Sequence, residues 1–290
     1  MRIAWLMRKE LLLGVGLALL AANPVVAQTR AELVSTTALR VCADPSDLPF
    51  SNDKGEGFEN KIADLVAGDM HLPVKYTFFP DSQGFIRATL DKDLCDVVMG
   101  TAVGNSDVTT TQPYYYTGYV IVTRAVDHLD ANKLSDPEFA TRKFGLIDET
   151  PPTNLLLKYD LMDQTKVYPL IVDTRVTKPS RQMLEDLVSH RIDVALVWGP
   201  FAGYYIKHDH LPLHMVFLDG ENSPVRLDYH IAMGVRNDAI DFRRALNAEI
   251  TKRKTDITAI LEQYDVPMLD EMGRPINLPA APANQKPAAK

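Results

Sequence analysis

Residues 85–100, FIRATLDKDLCDVVMG, and residues 185–199, EDLVSHRIDVALVWG, carry the same device. In the first, Leu90 stands six residues before Asp96-Val97; in the second, Leu187 stands six residues before Asp193-Val194. Each reads as a helix end running into a buried strand. Two copies of such a unit suggest two similar α/β lobes. Upstream, Ala38–Ala43 is an apolar run ended by the turn-rich DPSDLPFSNDKGEG, Phe58–Met70 recurs apolar at helical spacing, and Val74–Phe79 is a second strand. With Gly84–Asp91 as a second helix and Cys95–Gly100 as a third strand, the order is that of a parallel sheet with right-handed crossovers. Tyr119–Arg124 is a further strand, Asp130–Ala140 interrupts the pattern, and strands resume at Lys143–Ile147, Val167–Asp173 and Ile192–Trp198. Ser180 is placed to cap the helix that runs through Ser189, and Thr153 to cap the one that follows ETPPTN. Tyr229–Val235 is a strand that returns toward the first lobe, and Ile240–Tyr264 packs as one or two helices.

The 290 residues are 46% hydrophobic and 24% charged, too apolar for disorder and too charged for a polytopic membrane protein. A formal charge of −7 with no basic stripe argues against nucleic acid as a partner. Arg2, Arg8 and Lys9 precede a short apolar run, Leu11–Ala22, and the small-residue ending Val25-Val26-Ala27, which is the pattern of a secretory signal peptide over residues 1–27. An apolar core of that length is short of the roughly 20 residues a membrane-spanning helix needs. Cleavage takes the charge from −7 to −9 and places the mature chain outside the cytoplasm, in the periplasm, with no membrane span. In that oxidising compartment Cys42 and Cys95, the only cysteines, read as a disulfide, the alternative being two separately buried thiols. Residues 279–290, PAAPANQKPAAK, lack core residues and read as a flexible tail.

Five segments together resemble the bilobal periplasmic solute-binding-protein fold, in its family 3-like version with two crossover strands: LRVCADPSDLPFSN, GFENKIADLVAG, FIRATLDKDLCDVVMG, TTTQPYYYTGYVIVTRA and EDLVSHRIDVALVWG. By that resemblance residues 36–123 and 230–278 form one lobe, 124–229 form the other, and a cleft lies between. A narrower likeness, in VCADP-x-x-LPFSN, CDVVMG, PYYYTGYV, the TPP before a helix and VWGPFAGYY, resembles the MxaJ/XoxJ-type accessory proteins of quinoprotein methanol dehydrogenase systems. The likeness implies as partner a dehydrogenase that carries pyrroloquinoline quinone (PQQ), together with its cytochrome c, and no cofactor of the chain's own.

Amino-acid-binding members of the fold usually carry an arginine after the third strand that clamps the ligand carboxylate. Here no basic residue lies between Gly100 and Tyr119, which disfavours α-amino acids; Arg175 and Arg181 are the remaining candidates for a clamp. Loops after strand C-termini face the cleft in open α/β sheets, which makes Asp44, Phe50, Phe58, Glu59, Thr101, Tyr114, Tyr115, Tyr116, Trp198, Phe201 and Tyr204 the candidate cleft and partner-binding residues. Glu59 matches the position where relatives hold a ligand ammonium, and equally suits a first-turn carboxylate facing the helix dipole. Such a cleft reads as aromatic and mostly uncharged. His208, His210 and His214 have an HxH spacing, but they lie in a polar, Pro-containing segment that reads as a loop rather than a metal site. No GxSxG, HExxH, Walker or GxGxxG motif is present, so the expectation is a non-enzymatic binding protein. Its leading role is to bind the methanol dehydrogenase and assist maturation or activation. The alternative is a transporter solute receptor for a small neutral or aromatic ligand.

Overall fold

The structure is a computed structural model that describes residues 32–81 and 83–278; the signal-peptide and tail segments lie outside the described residues. In chain order the first lobe opens with β1 (Leu39–Ala43), the small hairpin β2 (Ser46–Asp47) and β3 (Ser51–Asn52), α1 (Phe58–Asp69) and β4 (Val74–Phe78). It continues with α2 (Phe85–Ala88), β5 (Val97–Ala102) and β6 (Thr109–Thr110). The long strand β7 (Tyr115–Arg124) leads into β8 (Phe144–Ile147), α3 (Thr153–Lys158), β9 (Thr165–Tyr168), α4 (Pro179–Val188), β10 (Val194–Trp198), α5 (Gly199–His208) and β11 (Leu213–Phe217). The chain returns through β12 (Asp228–Val235) to α6 (Ile240–Lys252), α7 (Lys254–Gln263), β13 (Met268–Leu269) and β14 (Pro275–Asn277).

One continuous sheet has the order β4-β1-β5-β12-β7-β10-β8-β9, with β11 on β7 and β6 on β12. The repeat seen in the sequence is real in space: β4-β1-β5 and β9-β8-β10 are two parallel triplets. Strands β7 and β12 join them. Tyr115–Gly118 of β7 pairs with β12, whereas from Tyr119 onward β7 pairs with β10, and from Val120 also with β11. The two helix-to-strand units also end alike. Asp96 N–H donates to the Arg40 carbonyl and Asp193 N–H to the Lys143 carbonyl (2.8 and 2.7 Å), and each side chain then pairs with an arginine, Arg40 and Arg124 respectively.

Apolar spacing explains the layers. Phe58, Ile62 and Val66 put one face of α1 onto Val41, Val97 and Met99, with Leu246, Ile250, Ile257 and Leu261 of α6 and α7 in the same core. The second-lobe sheet is covered on one side by Met183, Leu184 and Leu187 of α4 and on the other by Leu155 and Leu156 of α3 with Phe139 and Phe144. Cys42 of β1 and Cys95, two residues before the paired strand β5, are bonded, with Cα atoms 5.5 Å apart.

Four local expectations are corrected. Pro179 occupies the first turn of α4 with Lys178 in the cap position, so Ser180 lies inside the helix and caps nothing. Pro152 precedes α3, and the Thr153 hydroxyl finds no partner, so it is not a cap either. The strand expected at Val167–Asp173 ends at Tyr168, because Pro169 has no N–H to extend the ladder. The helix expected at Gly84–Asp91 is four residues of α2 followed by a 3-10 turn at Leu90–Lys92.

Candidate functional site

A cavity of about 530 Å³ lies between the lobes. It collects the ends of β1, β5, β8 and β10, as strand C-termini do at a topological switch. Asp44 follows β1 directly. Its carboxylate accepts from Ser46 N–H and Asp81 N–H (both 2.7 Å) and, across the cleft, from the Thr174 hydroxyl (2.9 Å). Lys178 makes a second bridge by donating to the Ser46 carbonyl, and the Tyr205 hydroxyl a third to the Leu48 carbonyl (3.3 Å). The lobes therefore touch across the cleft in this conformation.

Glu59 enters the site through two close approaches. The β2–β3 turn caps α1: Phe58 N–H and Glu59 N–H donate to the Pro49 and Phe50 carbonyls (2.8 and 3.0 Å), and a side chain on Gly57 would collide with that Phe50 carbonyl. A side chain on Gly100 would collide with the Glu59 carboxylate, so glycine in β5 is what admits Glu59 to the lumen. Burial, then the like charges of Asp81 and Asp47, push the Glu59 carboxyl up to about 8. Burial, then Asp44 and Asp81, push Asp47 up to about 8 as well. The unfolded chain releases its Glu59 proton near pH 4.5, whereas the fold keeps it until about 8. Over that window the native state binds more protons, so stability falls as pH rises, by about 1.4 kcal/mol per pH unit for one group. Glu59→Gln is expected to melt close to wild type near pH 4.5 and to gain on it steadily toward pH 8.5. A melting-temperature difference that is constant across this range would refute the assignment.

Of the sequence candidates, Asp44, Phe50, Glu59, Thr101, Tyr115, Trp198 and Phe201 line the cavity. Phe58, Tyr114, Tyr116 and Tyr204 do not. Phe58 is fully buried behind Phe50 (ring centroids 5.1 Å), and the Tyr114 hydroxyl donates to the Met99 carbonyl (2.8 Å). Tyr116 stacks on His230 (4.0 Å) outside the lining, and Tyr204 lies against His208 and Tyr264 in a separate small pocket. Two aromatic chains wall the cleft: Phe50–Phe201 (5.1 Å) spans the lobes, and Tyr119–Trp198–Tyr229 (5.2 and 5.9 Å) links the crossover strands β7 and β12 through the end of β10.

The cleft is richer in ionisable groups than expected. Asp44, Asp47, Glu59 and Asp81 all line it, and its described lining contains no lysine, arginine or histidine. Asp47 and Asp81 were missed because DPSD and FPDS read as turn-type segments, where aspartate is ordinary. The two candidate clamps are engaged elsewhere, Arg175 with Asp173 (2.7 Å) and Arg181 with Asp209 (3.0 Å). The histidines of 208–214 disperse: His208 ends α5 and pairs with Asp209 (2.7 Å), while His214 lies in β11 beside Asp130 (3.1 Å).

Known proteins share this architecture. XoxJ from Methylobacterium extorquens AM1, a periplasmic binding protein, is 39% identical, with a TM-score of 0.69 over 81% of this chain and 100% of that one. MxaJ from Methlophaga aminisulfidivorans MPT is 27% identical, also at 0.69, over 80% of this chain and 100% of its own. Protein MoxJ of Paracoccus denitrificans is 30% identical over 277 residues, 88% of this chain and 96% of the relative. No helix among the described residues is long and apolar enough to cross a membrane. The profile of the bacterial extracellular solute-binding proteins, family 3, matches residues 39–266, and with its two parallel triplets joined by β7 and β12 the chain belongs to that family.

Proposed function

We propose that this chain is a periplasmic accessory protein of a PQQ-dependent methanol dehydrogenase system, which binds the dehydrogenase and assists its maturation or activation without catalysis of its own. The observation that carries the reading is the similarity to proteins named MoxJ and XoxJ, at 30 and 39% identity over at least four-fifths of the chain. The absence of an arginine clamp from the described cleft lining supports it, since an amino acid carboxylate would be left uncompensated there. So does the cleft's rim. Phe79 of the first lobe and Leu170, Ile171 and Val176 of the second are exposed apolar residues, a surface suited to a protein partner. Lobes divided as 36–123 with 230–278 against 124–229 present that rim from both sides.

A pull-down from periplasmic extract with the mature chain, at low and moderate salt and read by mass spectrometry, is expected to recover the quinoprotein dehydrogenase, with less retained as salt screens the acidic surface. Loss of recovery in Trp198→Ala and Phe201→Ala, with Tyr116→Ala unaffected, places the contact in the cleft rather than on the crossover face. Recovery of transporter permease subunits with no dehydrogenase overturns the reading. A solute-receptor role is the second reading, favoured by the interlobe cavity itself, whose volume suits a small molecule.

A further inference from the structure

We propose that the interlobe cleft binds a protonated organic amine that carries no carboxylate, its ammonium seated at Glu59 and its apolar body against the rings of Trp198, Phe201 and Phe50. This goes beyond the accessory role and does not depend on it.

The cleft has an electrostatic deficit. Of its four carboxylates only Asp44 is answered, by two backbone N–H groups and Thr174. Among the described residues none donates a hydrogen bond to the Glu59, Asp47 or Asp81 carboxylate, and what acts on Glu59 is burial and the like charge of the other two. Glu59 is half-buried and lines the cavity. Lys178 is the single cation acting on Asp47, and its ammonium is held on Ser46. Carboxylates gathered in one cleft without a neutralising cation raise one another's cost of ionisation. A cationic ligand supplies the missing charge.

The walls narrow the class of cation. Phe50, Tyr115, Tyr119, Trp198, Phe201 and Tyr229 present aromatic surface, which attracts an organic ammonium electrostatically and buries its hydrocarbon. A bare metal ion is a poor fit, because no three acidic, histidine or cysteine side chains among the described residues converge as ligands. An anion or an α-amino acid meets no basic group in the described lining. A neutral molecule leaves the carboxylates as they are. Gly100 matters to this assignment because a side chain there would occupy the space of the Glu59 carboxylate.

Binding and protonation are linked. The titratable and charged groups facing Glu59 are Asp47, Asp81, Tyr76, Tyr114 and Tyr115; Asp47 in turn faces Asp44, Asp81, Lys178 and Tyr205. An ammonium stabilises the ionised form of Glu59, so it must displace a proton below about pH 8. Affinity therefore rises with pH until Glu59 is already ionised.

The test is calorimetric titration of the mature chain with butylamine, 1,4-diaminobutane and 2-phenylethylamine, each beside its alcohol analogue, and with lysine. At least one amine is expected to bind saturably, more than tenfold tighter than its alcohol analogue and than lysine, and more tightly at pH 8 than at pH 6. Glu59→Gln, its fold checked by circular dichroism, is expected to weaken that amine by about 10- to 100-fold, the range for a hydrogen bond to a charged group. Asp47→Asn serves the same comparison should Glu59→Gln misfold. The proposal fails if none of the three amines binds, if alcohols match amines, or if neither carboxylate variant changes amine affinity. Dehydrogenase recovery in the pull-down is read separately, so either proposal can fail while the other stands.

Discussion

Cys42→Ala/Cys95→Ala is expected to lower the unfolding free energy by about 4 kcal/mol, the chain-entropy value for a loop of this size. The bond spans 53 residues. That loop contains the β2–β3 hairpin, α1 and β4, and with them the cleft residues Asp47, Phe50, Glu59 and Asp81, while β5 and β7 supply the rest of the first lobe's lining. Both sulfurs are buried in a small cluster with Phe85, Leu90, Val98 and Val108, so alanine is the conservative replacement and serine would add an unpaired hydroxyl. Denaturant titration with and without reductant checks it. Reduction of wild type should reproduce the double variant's loss of midpoint, and the variant should not respond to reductant. An unchanged midpoint in both would mean that the crosslink does not constrain the unfolded chain.

Asp96→Ala should cost a comparable amount, about 3–5 kcal/mol, as expected when one partner of a buried ion pair is removed. Asp96 is 1% exposed and accepts from Arg40 (2.8 Å), Arg236 (2.9 Å) and the Ser35 N–H (3.1 Å), tying the β1–β5 seam to the end of β12 and to the N-terminal segment. Burial opposes its ionisation, but these hydrogen bonds outweigh burial and hold the carboxyl below its ordinary 3.8. The sign follows: its stabilisation is present above the unfolded value and is lost as pH falls below it. The gap between wild type and Asp96→Ala should therefore be wide at pH 7 and narrow on acidification through pH 3, measured by chemical unfolding. Asp193→Ala is the internal control from the other lobe. Arg124 keeps Asp127 and the Leu187 and Ile192 carbonyls as partners, so that variant should lose much less. Equal losses at the two sites would contradict this reading of the repeat.

Much of the architecture was legible in the chain. The spacing from Leu90 to Asp96-Val97 and from Leu187 to Asp193-Val194 marks two helix-to-strand units, and both form. The apolar period through Phe58, Ile62 and Val66 marks α1 nearly to the residue, because a buried helical face needs that period whatever lies opposite it. Short elements read less well. The expected strand at Val167–Asp173 overran Pro169, and the expected helix at Gly84–Asp91 broke into a single turn and a 3-10 segment, since packing decides such elements more than local pattern does.

The candidate site divides along the same line. Residue types were available from the sequence: aromatic residues in PYYYTGYV and VWGPFAGYY, an acid at Glu59, and no basic residue between Gly100 and Tyr119. Their direction was not. Adjacent residues of a strand point to opposite faces, so only the pairing of β7 with β12, Tyr115 opposite Ile231 and Tyr116 opposite His230, sends Tyr115 into the cleft and Tyr116 away from it. The acidity of the cleft is likewise a property of assembly. Asp44 and Asp81 are 37 residues apart, and Thr174 is 130 from Asp44, yet they share hydrogen bonds. By itself the sequence determined two α/β lobes, a bondable cysteine pair and an aromatic, arginine-free set of cleft segments. Only the tertiary structure decided that four carboxyl groups line one cleft with no basic side chain in the described lining, because local patterns set period and type, whereas the meeting of strand ends from distant parts of the chain sets electrostatics.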